Sequence, residues 1–229
     1  MGVTAYGRVD FDFTVVTDNW RFLAEGVGVT LLLSLASGAA SLVAGLVLAL
    51  LRLRGPRWLR PAIVFYIDSM RAIPVLVVLV WTFFALPMVA GVTMSPFMAG
   101  LIGLTAHLAA YAAEIVRAGI ESVRPGQTRA ALALGMSHAQ ILRRIVLPQA
   151  LVRTLPAFGS LLSVTIKDTA IASVIAVPEL MRRSETVAGQ SFQPIEVYTF
   201  AMLVYFVLLY PVTRGVDRFY RRVAHLGRS

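Results

Sequence analysis

Two charge-free stretches decide most of what this chain can fold into. Residues 26–51 and residues 72–113 contain no Asp, Glu, Lys or Arg. A helix crosses the bilayer hydrocarbon with about 20 apolar residues, and a backbone in lipid must satisfy its hydrogen bonds within a helix or a closed barrel. The first stretch is one span. The second is too long for one crossing, and "LPMVAGVTMSP" (86–96) supplies a Pro- and Gly-marked break, giving spans at 62–86 and 96–117. Residues 154–178, interrupted by Lys167 and Asp168, form a fourth, and 195–213 a fifth. "NWRFL" (19–23) reads as interfacial, with Trp20 as an anchor. Only 14% of the residues are charged, against about a quarter in soluble domains. The expectation is an all-α membrane protein of five transmembrane helices.

The arginines orient it. Arg52, Arg54, Arg57 and Arg60 follow the first span. Arg117, Arg124, Arg129, Arg143, Arg144 and Arg153 lie between the third and fourth, and Arg214, Arg218, Arg221, Arg222 and Arg228 follow the fifth. Only Arg8, Arg21, Arg182 and Arg183 fall on the other side. Basic residues accumulate on the cytoplasmic side, so the N-terminus is expected outside and the C-terminus inside. The net charge of +9 is then a topology signal, and no nucleic-acid partner is expected. The first 25 residues carry Asp10, Asp12, Asp18 and Glu25 without a basic region before an apolar run, so no cleavable signal peptide is expected. The organisation read from this is an extracytoplasmic segment at 1–25, a transmembrane domain at 26–221 and a cytoplasmic tail at 222–229. In the first span Ser34 and Gly38, and Ser37, Ser41 and Gly45, repeat every four residues or nearly so, a stripe suited to close helix packing.

Chemistry-bearing patterns are few. There is no Cys, so no disulfide or thiolate metal site is possible. A nucleotide-binding G-x-x-x-x-G-K-[ST] loop is excluded because the lone lysine, Lys167, follows no glycine in "LSVTIKDT". Neither a zinc-protease helix nor a serine elbow occurs. The chain is not expected to be an enzyme or to hold a metal or cofactor.

One cytoplasmic stretch, "GQTRAALALGMSHAQILRRIVLPQ" (126–149), is both charged and helix-forming. Good helix formers run from Gln127 to Leu134, and Gly135 interrupts. Ser137 and Gln140 fit a capping box that would start a second short helix, which Pro148 would end. On it Ile141, Leu142, Ile145 and Val146 share one face while Arg143 and Arg144 point elsewhere. Such a helix–turn–helix either lies on lipid or docks a partner.

The residues around it resemble a known family. "AYAAEIVRAGIESVRPGQTRAALALGMSHAQILRRIVLPQALVRTLPAF" followed by "IKDTAIASVIAVPEL" is similar to the inner-membrane permease subunits of bacterial ABC importers, in particular the polar amino acid branch (histidine, glutamine and glutamate type). Ala130, Ala131, Gly135, Ile145, Leu147 and Pro148 occupy the positions of the family's cytoplasmic motif, E-A-A, three residues, G, then I/V-x-L-P. "VRPGQ", "LPQA", "KDT" (167–169) and Arg71 with Pro74 match the branch pattern. The motif's opening acidic residue is Arg129 here. The resemblance covers about residues 20–220. It implies the type I importer permease fold, with the stretch at about 120–150 as a coupling helix seated in a groove of an ATPase subunit. Gly126, Gln127, Arg129, Ala130, Ala131, Gly135, Ile141, Arg143, Arg144, Ile145, Leu147 and Pro148 are then the candidate coupling residues. It further implies an ATPase dimer that holds ATP and Mg, a second permease subunit (identical or similar), an extracytoplasmic substrate-binding protein and residence in the bacterial inner membrane. A permease for another small solute, opine- or betaine-like, and a non-transporting membrane scaffold remain the alternatives.

Charges at membrane depth cost roughly 2.5–3.5 kcal/mol each on insertion scales and mark functional positions. Lys167 and Asp168 qualify. Adjacent on a helix, they point about 100° apart and each is expected to find a partner elsewhere or line a cavity. Arg71 qualifies too, although Asp68 three residues before it would neutralise it, and Pro74 frees a carbonyl nearby. His107 and Tyr111 either face the translocation path or pair as a buried histidine satisfied by a hydroxyl. Glu114 and Arg117 are spaced for a structural pair. "PELMRRSETVAGQSFQP" (178–194) is the longest external loop and a candidate surface for the binding protein.

Overall fold

A computed structural model describes residues 11–223; most of the expected N-terminal segment and of the tail lies outside the described residues. A short α1 (Thr14–Asp18) leads into α2 (Trp20–Arg54), whose exposed Trp20 opens the helix. The first expected span is thus the middle of a longer helix. The small-residue stripe is buried along α2, and at Gly45 the reason is steric. A Cβ there would meet the Ala112 Cβ at 2.5 Å and the Ala109 carbonyl oxygen at 2.9 Å. The helix carrying those alanines, α6 (Pro96–Glu121), is the centre of the molecule.

Between them the second expected span is not a straight rod. α3 (Arg60–Ala72) ends at Ile73, whose extended backbone (ψ 131°) is what a following proline demands. After Pro74 the chain resumes as α4 (Val75–Val80), a π-helical turn at Trp81–Ala85 and α5 (Leu86–Ala90). The two halves meet at 109°. Gly91, at φ 66°, terminates α5, and Ser95 caps α6 by accepting the Met98 N–H at 3.3 Å. Among the described residues four helices are therefore long and apolar enough to cross a membrane, and the bent pair makes up to five.

After α6 come α7 (Pro125–Ala133), α8 (His138–Ile141), a second π-helical turn at Leu142–Val146 and α9 (Leu147–Ile171). Pro148 does not end a helix, as the sequence suggested. It sits in the first turn of α9, and the widened turn ahead displaces the carbonyl its ring would strike. Pro87 follows the other π turn in the same manner. Lys167 and Asp168 do not interrupt α9 either. A 3-10 turn (Ala172–Ile175) leads to α10 (Leu180–Ser191), so the expected external loop is mostly a helix, packed between α2 and α11 (Pro194–Val223). α11 runs ten residues past the expected span, so Arg214, Arg218, Arg221 and Arg222 ride on a helix. Leu33, Leu79, Leu104, Leu108, Leu161 and Ile175 form the main core, drawn from α2, α4, α6, α9 and the 3-10 turn.

Candidate functional site

The stretch from α7 to the start of α9 folds on itself. Gly135 has φ 78°, a left-handed conformation that costs other residues about 1–2 kcal/mol, and it turns α7 back toward α8. The capping box forms: Ser137 accepts the Gln140 N–H at 3.3 Å, and the Gln140 side chain accepts the Ser137 N–H at 2.8 Å. The Gln149 amide donates to the Gln127 side chain at 2.7 Å, closing the base of the hairpin. Ala131, Ile141 and Val146 bury their side chains with Val123, flanked by Ile120, Met136, Leu142 and Ile145. The apolar face read from the sequence is therefore spent inside the hairpin, where it seats the segment on the end of α6.

What faces outward is different. Leu134 is 82% exposed and Leu132 42% exposed. Around them Gly126, Arg129, Ala130, Gly135, Arg143, Arg144 and Pro148 are exposed, while Leu147 is half-buried. The outward-facing residues thus combine two leucines, Leu132 and Leu134, with three arginines, Arg129, Arg143 and Arg144. Leu132 and Leu134 were not singled out from the sequence; their position before an interrupting glycine was the available signal.

Beside the hairpin, a cluster of charges ties α2, α3 and α6 together. Glu114 pairs with Arg117 at 2.7 Å, as the spacing suggested, and also with Arg52 and, at 3.8 Å, with Arg71. Arg117 also bridges Glu121. The partner of Arg71 is thus Glu114 and not Asp68, because the bend at Pro74 turns the end of α3 onto α6. The guanidinium of Arg71 stacks over the Tyr111 ring at 5.8 Å, and the Tyr111 hydroxyl donates to the Arg71 carbonyl at 3.3 Å. Tyr111 is therefore not the partner of His107. Their rings lie 5.2 Å apart, and the buried Nδ1 of His107 has no hydrogen-bond partner among the described residues. Arg71, Tyr111 and Glu114 line one open groove of about 440 Å³ with Ser122, Arg153 and Thr154. Lys167 and Asp168 are not part of it. They sit about 14 residues along α9 from Arg153, or roughly 21 Å at 1.5 Å per residue. Lys167 is exposed and Asp168 half-buried.

At the opposite end of the molecule from the hairpin, Glu179 was missed in the sequence reading. It is fully buried and caps α10, accepting the N–H groups of Met181 (2.9 Å) and Arg182 (2.7 Å) and the Tyr205 hydroxyl (2.9 Å). Thr30 of α2 accepts the Leu180 N–H at 3.1 Å and donates to the Gly26 carbonyl at 3.0 Å. Arg183 adds bonds to the Phe22 carbonyl (2.9 Å) and Glu25 (2.7 Å). Burial pushes the Glu179 carboxyl above the usual carboxylate range, and the donors around it oppose that shift. An acidic residue between Pro178 and a helix-forming run that starts at Leu180 was the signal for this cap.

A broken second span, a self-capped basic hairpin between two long helices and a helix sealed against the ends of two others together define a transporter subunit. The family whose sequence model matches residues 41–225 is described as "Binding-protein-dependent transport system inner membrane component", and the chain belongs to it. It is a transport subunit and no enzyme; in this family the ATPase activity resides on a separate subunit. The chain is 36% identical over 198 residues to the probable amino-acid ABC transporter permease protein YckA of Bacillus subtilis (strain 168), covering 86% of this chain and 87% of that one. It is 33% identical to the probable glutamine ABC transporter permease protein GlnM of the same organism, covering 92% and 97%. Among solved structures, a chain described as an amino acid ABC transporter with histidines superposes with a TM-score of 0.88 at 32% identity, covering 93% of this chain and all of that one.

Proposed function

We propose that this chain is the permease of an importer for polar amino acids, driven by an ATPase that docks on the hairpin of α7 and α8. One observation carries the reading: a self-capped hairpin that exposes Leu132 and Leu134 together with Arg129, Arg143 and Arg144. This is the form of a short amphipathic element made to enter a groove on a partner, and its charge calls for a groove with an acidic rim. The chain has no phosphate-binding loop of its own, so ATP and its Mg ion are held on that partner. The N-terminus lies outside and the C-terminus in the cytoplasm, following the arginines. A second permease subunit completes the path, because a bundle of four helices and one bent pair is small to enclose a polar route. Lys167 and Asp168 line that path near its middle, and Arg71 and Tyr111 line it nearer the ATPase, with His107 behind them. The exposed face of α10 receives the substrate-binding protein. Substrate class follows the two relatives described above, whose names specify an amino acid and glutamine.

The test separates the exposed leucines from the scaffold. Leu134→Asp places a charge on the outward face and leaves the hairpin core untouched. The chain should insert and assemble at parental levels, while stimulation of the co-purified ATPase by loaded binding protein falls at least tenfold. Stimulation at the parental rate would remove the docking role from this segment.

A further inference from the structure

A groove of about 500 Å³ opens sideways between α2, α9 and α11, on the face of α9 opposite Lys167. Its walls include Leu35, Leu42, Leu155 and Phe158. Its three hydroxyls are already engaged with their own helices: Ser34 with the Leu31 carbonyl (3.0 Å), Ser41 with Gly38 (2.8 Å) and Thr165 with Leu161 (2.9 Å). With those protons donated, the three hydroxyls offer a ligand no free donor. Within its lining α9 and α11 touch closely: a Cβ on Gly159 would lie 2.1 Å from the Val216 side chain.

Its depth is informative. Gly38 is the midpoint of the charge-free run 26–51, and Thr165 approaches it at the same level, 3.8 Å from where a Cβ would stand. The groove therefore starts near mid-bilayer. It runs toward the arginine-bearing end of α11 and stops at Phe219. That is one leaflet, whereas a packed transmembrane helix would call for contact across both. Beyond the apolar lining the surface becomes basic. Gly215, Arg218, Phe219 and Arg222 follow the i, i+3, i+4, i+7 spacing of a single helix stripe. Arg218 and Arg222 are exposed, and neither has an ion pair among the described residues. Arg214, off this stripe, stacks on Tyr210 at 5.3 Å.

We propose that this groove is a binding site for one anionic phospholipid, with an acyl chain along α9 and the phosphate held by Arg218 and Arg222. Hydrocarbon fits a mostly apolar lining without free donors, and two guanidiniums unpaired among the described residues, at headgroup depth, select a negative headgroup over a zwitterionic one.

Native mass spectrometry of the assembled transporter, titrated with phosphatidylglycerol and phosphatidylcholine of matched acyl chains, tests this. The parent should retain phosphatidylglycerol about 5- to 30-fold better, at about fivefold per arginine. Arg218→Gln with Arg222→Gln should abolish the preference, and Arg221→Gln, off the stripe, should keep it. Ala39→Trp, at an exposed lining position, should lower retention of both lipids. Equal retention by the parent, or a preference that survives the double substitution or is lost equally in Arg221→Gln, overturns the proposal. So does a disulfide between two copies of an Ala39→Cys chain, since a second copy would then fill the groove.

Discussion

At the scale of single residues, Glu179 gathers two backbone N–H groups and the Tyr205 hydroxyl on one buried carboxyl. Replacing it with Ala leaves two N–H groups of α10 and the Tyr205 hydroxyl without acceptors, and should destabilise the protein by about 2–4 kcal/mol. Melting followed by circular dichroism measures the loss. The pH dependence has a definite sign. A carboxyl whose pKa is raised on folding adds stability that is complete below its unfolded value, about 4.3, and is lost as pH rises through the higher folded value. Glu179→Gln cannot ionise, so its melting temperature should fall less than the parent's between pH 4 and neutrality. A parallel decline in both proteins would assign the pH dependence to other groups. The cap was hard to find from the sequence because its partners, Thr30 and Tyr205, come from helices far away along the chain.

At the scale of elements, the hairpin of α7 and α8 was legible in outline. Gly135 and the Ser137–Gln140 box act over three or four residues, and local rules suffice to read them. Which face points outward was not legible, because an apolar stripe looks the same whether it meets a partner or the end of α6. Ile141, at 3% exposure, belongs to the inner face. Ile141→Asp should therefore cost about 3 kcal/mol or more by burying an unpaired charge, and residues 125–148 should become open to limited proteolysis. Leu134→Asp should leave the same segment protected. The ends of the helices were misread for a related reason: prolines 87 and 148 stop a regular helix, yet a π turn before each lets it continue. The pairing of Arg52 with Glu114 was equally out of reach, since 62 residues separate them.

At the scale of the whole molecule, the absence of cysteine makes the orientation directly measurable. In otherwise parental chains, Ala139→Cys should react with a membrane-impermeant maleimide only after the cells are permeabilised, whereas Gln190→Cys should react in intact cells. Both positions are exposed; the reverse pattern would turn the protein over in the bilayer. The long helices were readable from charge-free runs, because insertion into lipid leaves few choices. The bend of 109° was announced only by Pro74, and its size depends on α6, against which both arms pack. The π turn at Leu142–Val146 has one more consequence. It splices α8 to α9 without a break in the helix, and α9 carries Lys167 and Asp168 about 30 Å from its first residue at 1.5 Å per residue. Under the docking proposed above, a tug on α8 is delivered as the swing of a single shaft, and its far end needs no relay of intermediate side chains to feel it.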